Sequence, residues 1–205
     1  FFSKNKRYVW SNTIQFDRTF ADKHNVSLLG GIEEQKTDAL SYGLNRTNVS
    51  DPEFKNIQGG WGTPNTAGLG IGENYLYSEF GRLTYNFNRK YFIGGSLRRD
   101  GASQLGKQNK FGTFWGLSGG WEITKENFWQ SAGLNNVFSS FKIRGSYGKV
   151  GNIGGLGNFQ SLSTFGSGLY GGNSTVVFNQ AGNADLKWET SKKFELGLDF
   201  GFFRD

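Results

Sequence analysis

The sequence predicts an all-β chain: an antiparallel transmembrane β-barrel segment of about seven strands, drawn from a larger barrel. Apolar and polar residues alternate over runs of 10 to 13 residues, the links between runs alternate short and long, and large aromatics gather near the run ends. Period-two patterning marks strands with one apolar and one polar face. Runs of this length exceed the usual soluble strand of about 5–6 residues and suffice to cross a bilayer at a tilt, which takes about 9–11.

In the first predicted strand, Tyr8, Trp10, Ile14, Phe16 and Phe20 alternate with Ser11, Thr13, Gln15 and Asp17. The second, about His24 to Lys36, is weaker: Val26, Leu28 and Ile32 oppose Ser27, Gly31 and Glu33, and Leu29 falls on the polar side. In the third, Tyr75, Tyr77, Leu83, Tyr85 and Phe87 oppose Ser78, Arg82, Thr84 and Asn86, with Glu79 and Phe80 each out of pattern. The fourth, Tyr91 to Asp100, sets Tyr91, Ile93 and Leu97 against Ser96 and Arg98. The fifth, Phe111 to Ile123, sets Trp115, Leu117 and Trp121 against Gly116, Ser118 and Gly120. The sixth, Phe141 to Lys149, opposes Ile143 and Tyr147 to Lys142, Arg144 and Ser146. The seventh, Trp188 to Phe202, opposes Phe194, Leu196, Leu198 and Phe200 to Lys193, Glu195, Gly197 and Asp199.

The polar faces carry Gly, Ser, Arg, Lys and Asp, which suit a hydrated lumen. Phe20, Phe87, Tyr91, Trp121 and Phe202 are placed at one edge and Tyr8, Tyr75, Phe111 and Trp188 at the other, the arrangement of two aromatic girdles. Links 21–23 and 88–90 are short, whereas 37–74 and 150–187 are long and 101–110 moderately so. Link 124–137 is intermediate and is predicted to hold a short helical turn around Lys125 to Gln130. Outer-membrane barrels have short periplasmic turns and longer external loops, so links two, four and six are assigned outside.

Seven strands cannot close a barrel, and open edges are not tolerated in lipid, so residues 1–205 are expected to be part of a barrel domain within a longer protein. Phe1-Phe2-Ser3-Lys4-Asn5-Lys6 lacks the apolar stretch of a signal peptide, which fits an internal piece of a precursor. The 32 glycines and 17% aromatic content disfavour a helical domain, since glycine costs about 1 kcal/mol in a helix interior. A mean hydropathy of −0.53 is compatible with a barrel whose every second residue faces water. The net charge of +6 is dispersed, with no basic stripe, which argues against nucleic acid as a partner. With no cysteine and a single histidine, His24 in a predicted short turn, neither a metal site nor a cofactor is expected. The glycine-rich Gly151 to Gly157 is followed by no helical pattern and is assigned to an outer loop rather than a nucleotide site.

Several segments together resemble the C-terminal barrel portion of SusC/RagA-type TonB-dependent outer-membrane transporters. They are Tyr77 to Phe87 (YSEFGRLTYNF), Ser96 to Ser103 (SLRRDGAS), Gly119 to Ile123 (GGWEI), Lys142 to Asn152 (KIRGSYGKVGN), Asn183 to Thr190 (NADLKWET) and Leu196 to Phe203 (LGLDFGFF), in the family's order. The resemblance implies a 22-stranded barrel with a plug, a class in which the lumen is filled. It also implies a multi-pass protein of the Gram-negative outer membrane that imports nutrients, mainly oligosaccharides and in some members peptides. The implied partners are a SusD-like surface lipoprotein, the TonB complex through segments outside this chain, and the lipid bilayer. Such a protein binds and moves its cargo, so an enzyme is not expected. A siderophore-type or passive outer-membrane barrel without a lipoprotein lid is the alternative.

For cargo contact, flat aromatic faces suit sugar rings. Trp61, in Gln58-Gly59-Gly60-Trp61-Gly62, and Phe165 and Tyr170 are the candidates, with packing between loops or against a lid as their other role. Arg82, Arg98, Lys142 and Arg144 are expected to face the lumen, lining a path or pairing with acidic groups of neighbouring strands.

Overall fold

A computed structural model describes residues 1–48, 51, 53, 56 and 65–202. It contains β1 (Phe2–Phe20), β2 (His24–Asn45), β3 (Asn65–Phe87), β4 (Tyr91–Ala102), β5 (Phe111–Glu122), β6 (Phe138–Asn152), β7 (Thr164–Tyr170), β8 (Asn173–Gln180) and β9 (Glu189–Phe202). A short helix α1 (Asn127–Ser131) lies between β5 and β6, flanked by 3₁₀ turns at Ile123–Lys125 and Leu134–Asn136. Seven strands form one antiparallel sheet in the order β1-β2-β3-β4-β5-β6-β9, and β7 and β8 form a separate hairpin.

Two of the short links are tight turns with the hand that a twisted hairpin requires. Ala21 and Asp22 have φ of 49° and 55°, Asn88 and Arg89 of 54° and 53°. Lys23 N–H donates to Phe20 O at 3.1 Å and Lys90 N–H to Phe87 O at 2.9 Å. Two central residues with positive φ match the twist of the flanking strands, and Asn and Asp tolerate that region best.

Register through the middle of the sheet is unbroken. Shifts occur only at Tyr42/Leu44, beyond the outer end of the common sheet, and at Phe138/Ser140, at the other end. One continuous row therefore runs Phe16–Leu28–Leu83–Gly95–Leu117–Tyr147–Phe194 across seven strands. The parallel row Phe20–His24–Phe87–Tyr91–Trp121–Ile143–Leu198 forms an aromatic-rich margin along the short-link edge. The central row stays uncovered: Leu117 is 61% exposed and Phe194 71%. Among the described residues no second protein layer covers this face. Contiguous apolar surface of this extent marks an interaction or membrane face.

The structure extends several sequence expectations. β1 starts at Phe2, β2 runs on to Asn45 and β3 begins at Asn65, so much of link 37–74 is a tall two-stranded extension. At about 3.3 Å per residue, the nine residues of β2 past Lys36 reach about 30 Å further along the strand. Link 150–187 contains the β7–β8 hairpin, closed by Gly171 and Gly172 with φ of 58° and 83°. Leu29 lies with Arg82 on the polar face, as its position demanded. His24 opens β2 rather than lying in the turn, and its Nδ1 is 2.8 Å from Tyr85 Oη.

One aromatic assignment is corrected. Trp188 precedes β9 and turns to the polar side: its indole meets Phe114 edge-on at 5.1 Å and donates to Lys110 O at 3.0 Å. A strand that begins at Glu189 releases Trp188 from the alternation that would have aimed it outward. Tyr8, Tyr75 and Phe111 remain on the apolar face at that end.

The helical turn predicted at Lys125 to Gln130 corresponds to the 3₁₀ turn and α1. This segment folds back over the apolar face. Phe128 meets Trp121 at 6.5 Å, and Trp129 meets Phe138 at 5.8 Å and Phe141 at 5.4 Å.

Candidate functional site

The polar face is floored by small residues. Two rows cross it, Asp17–Ser27–Thr84–Gly94–Ser118–Ser146–Glu195 and Thr19–Asn25–Asn86–Phe92–Gly120–Arg144–Gly197. Over β3, β4, β5, β6 and β9 they leave a groove of about 850 Å³. The glycines keep it open and let long side chains lie flat. A Cβ on Gly197 would stand 2.9 Å from Arg144 Cζ, and one on Gly120 would stand 3.1 Å from Lys142 Cε.

The four basic residues chosen from the sequence all fall on this face but differ in engagement. Arg144 Nε reaches both oxygens of Asp199, at 3.0 and 3.2 Å. Arg98 is held hardest: Nε donates to Asp100 Oδ1 at 2.7 Å, Nη2 to Ser78 Oγ at 2.8 Å, and Glu33 Oε1 stands 3.8 Å away. Ser78 and Asp100 are buried, and the guanidinium also lies 5.5 Å over the Phe80 ring. Phe80, out of pattern in the sequence, is thus the platform for Arg98. Lys142 Nζ sits 4.0 Å over the Phe92 ring. Among the described residues neither Lys142, which lines the groove, nor Arg82, one strand row outward, has an ion-pair partner.

Two of the three aromatic candidates, Phe165 and Tyr170, fall on β7. Trp61 lies outside the described residues. Phe165 and Tyr170 lie on opposite faces of the β7–β8 hairpin, 63% and 84% exposed. Phe165 shares its face with Leu169, Val176 and Phe178, and its ring meets that of Phe178 at 5.7 Å. The hairpin therefore presents one apolar face, uncovered among the described residues.

Two motifs separated by about eighty residues interlock at the outer end. Gly106 N–H donates to Leu186 O at 3.0 Å, and the Trp188 indole closes onto Lys110 O. Ala102 and Leu105 beneath this junction are each 1% exposed. Gly106 approaches so closely that a Cβ would stand 2.0 Å from Ala184 O. Sequence alone gave no sign of this clamp.

At the opposite end Glu126 gathers three donors: Tyr91 Oη at 2.6 Å, Trp121 Nε1 at 2.9 Å and Lys90 Nζ at 3.0 Å. The Tyr91 hydroxyl, then the indole and the ammonium, hold its carboxyl down at about 2. This tie was also missed; the Trp121-to-Glu126 spacing across a predicted turn was its only signal.

An antiparallel sheet with an uncovered apolar row and a glycine-floored polar groove is barrel wall. The family described as "TonB dependent receptor-like, beta-barrel" matches residues 1–205. The chain belongs to this TonB-dependent receptor β-barrel family. It is 33% identical over 198 residues to TonB-dependent receptor P3 of Formosa agariphila, covering 94% of this chain and 19% of that protein. It is 36% identical over 140 residues to TonB-dependent receptor SusC of Bacteroides thetaiotaomicron, covering 63% of this chain and 13% of that protein. The fold matches the structure of the RagAB peptide transporter with a TM-score of 0.82 at 23% identity, over 98% of this chain and 22% of that one. The expected resemblance to a SusC/RagA-type barrel portion is therefore borne out. This TonB-dependent receptor barrel segment spans about a fifth of the length of the relatives it matches.

Proposed function

We propose that the whole protein is a TonB-dependent importer of the Gram-negative outer membrane, taking up an oligosaccharide, and that this segment supplies barrel wall and outer loops. The observation that carries the proposal is the two-faced sheet: an uncovered apolar row on one face, and on the other a groove floored by glycine and serine, lined by Lys142, which has no ion pair among the described residues. β1 and β9, the sheet's two edges, pair with further strands of the ring, since unpaired edges are excluded from hydrocarbon. The exposed apolar face of the β7–β8 hairpin is the surface on which a SusD-like lipoprotein rests, with Phe165 in that contact and Tyr170, on the other face, turned to cargo.

A peptide is the second reading of the cargo. It is favoured by the mixed charges around the groove, where Lys142 and Arg144 stand with Glu195 and Asp199, since a peptide carries groups of both signs.

Deleting the full-length gene and supplying single oligosaccharides or defined peptides as sole nutrient tests the proposal. Growth lost on one oligosaccharide class and restored by the intact gene supports it. Growth lost on peptides alone selects the second reading, and unchanged uptake of both overturns import. In the same strain Lys142→Ala and Arg82→Ala lower uptake while leaving the protein's amount and folding unchanged.

A further inference from the structure

The segment between β5 and β6 combines an apolar surface with unneutralised cations, and it lies on a particular side of the sheet. Its fixation explains the position. Glu126 ties it to Tyr91 and Trp121, both in the aromatic-rich row of the apolar face. Phe128, Leu134 and Val137 then project outward, 58%, 38% and 46% exposed. This surface continues the apolar row of the wall, so the solvent that covers the row borders the segment too.

Charge complements this placement. At the same edge stand Arg18, Lys23, Arg89, Lys90 and Lys125, against Asp22, Glu122 and Glu126. Lys90 is neutralised by Glu126. Lys125 Nζ donates to the Arg89 carbonyl at 3.0 Å, and among the described residues neither Lys125 nor Arg89 forms an ion pair. Arg18 lies in the apolar face itself, its guanidinium 4.9 Å over the Phe20 ring, a position from which a cation reaches toward headgroups.

We propose that the α1 segment is a membrane-interface anchor: Phe128, Leu134 and Val137 dip into the leaflet on the short-link side, and Arg89 with Lys125 holds glycerophospholipid phosphates there. The proposal rests on the lipid-facing assignment of the apolar row and adds a lipid site to it. Short helices with aromatic residues on one side and Lys or Arg at the margin lie in the headgroup layer and prefer anionic lipid.

Single cysteines placed at Phe128, Leu196 and Lys107 in a cysteine-free version of the full-length protein, spin-labelled in nanodiscs of phosphatidylethanolamine and phosphatidylglycerol, test the depth. The expected result is a Phe128 label as accessible to oxygen and shielded from a water-soluble nickel chelate as one at Leu196, with the Lys107 label fully open to the chelate. A chelate-accessible Phe128 beside a shielded Leu196 overturns the anchor alone. A chelate-accessible Leu196 overturns the lipid-facing assignment itself. For the phosphate contact, phosphatidylglycerol retained by the purified protein is counted by native mass spectrometry. Arg89→Glu and Lys125→Glu each lower retention about fivefold, while Lys107→Glu, on the opposite side, changes nothing. Equal retention in all three overturns the site. Heat-modifiable migration in gels confirms that each variant is folded.

Discussion

Replacing Gly106 with alanine probes the clamp between links 103–110 and 181–188. The added methyl would stand 2.0 Å from Ala184 O, 2.9 Å from its carbonyl carbon and 3.3 Å from Leu186 O. All three are backbone atoms, so no side-chain rotation relieves the contact. The links must separate, which breaks the Gly106 N–H bond to Leu186 O. Losing that bond costs about 0.5–1.5 kcal/mol and the forced displacement about 1–3. A combined cost of about 1.5–4.5 kcal/mol raises the open population of the junction roughly 10- to 1,600-fold. Lys107, Lys110 and Lys187 border the junction, so trypsin cutting of the intact protein under mild conditions measures the opening. Gly157→Ala is the control, because its Cβ meets only the Gln160 side chain, at 3.5 Å. If Gly106→Ala resists trypsin as well as Gly157→Ala does, close backbone approach is not what joins the two links.

The two faces respond oppositely to charge: Leu117→Arg costs about 2–4 kcal/mol of folding stability in a bilayer, whereas Ser118→Arg, its neighbour on the polar face, costs little. Denaturant refolding into vesicles compares the pair, and equal losses would contradict the orientation. Arg98→Ala leaves Asp100, 8% exposed, without its cation and is expected to cost about 1–3 kcal/mol, the partial exposure of Arg98 lowering the buried-pair figure. Asp100→Asn with Arg98→Ala recovers much of that loss in the same refolding assay. Ionised Glu126 is favoured by folding because its carboxyl is held to about 2, below the ordinary value of about 4.3. Its contribution is present above about pH 4.3 and is lost as pH falls toward 2. Thermal melts across that window should show a weaker acid dependence in Glu126→Gln than in the parent.

The seven wall strands were legible because alternation is enforced at every residue once one face meets apolar surroundings and the other water. The short turns were legible for a similar reason, since Asn88 and Asp22 suit positive φ. The β7–β8 hairpin was not, because Gly166 and Gly168 remove side chains from one face of β7 and hide its period. The far halves of β2 and β3 were missed because Ser41, Gly70 and Gly72 dilute the pattern where both faces meet water. In the candidate site, the face of each basic residue followed from parity, but its partner did not. Arg98 and Arg82 are both polar-face arginines, and Asp100 two residues along β4, with Ser78 and Glu33 on other strands, separates the anchored cation from Arg82, which has no ion pair among the described residues. The Gly106 clamp depended on a loop approaching another loop, which no local spacing encodes.

The uninterrupted register between the two terminal shifts has a mechanical meaning. Every amide along the crossing portion of β3, β4, β5 and β6 is committed to a neighbour, and in hydrocarbon no water can take over a broken pairing, which costs several kcal/mol for each stranded group. The wall therefore behaves as a stiff panel. In the proposed importer, whatever opens and shuts has to be housed beside that panel or above its rim, and the panel serves as the stationary frame against which those parts move.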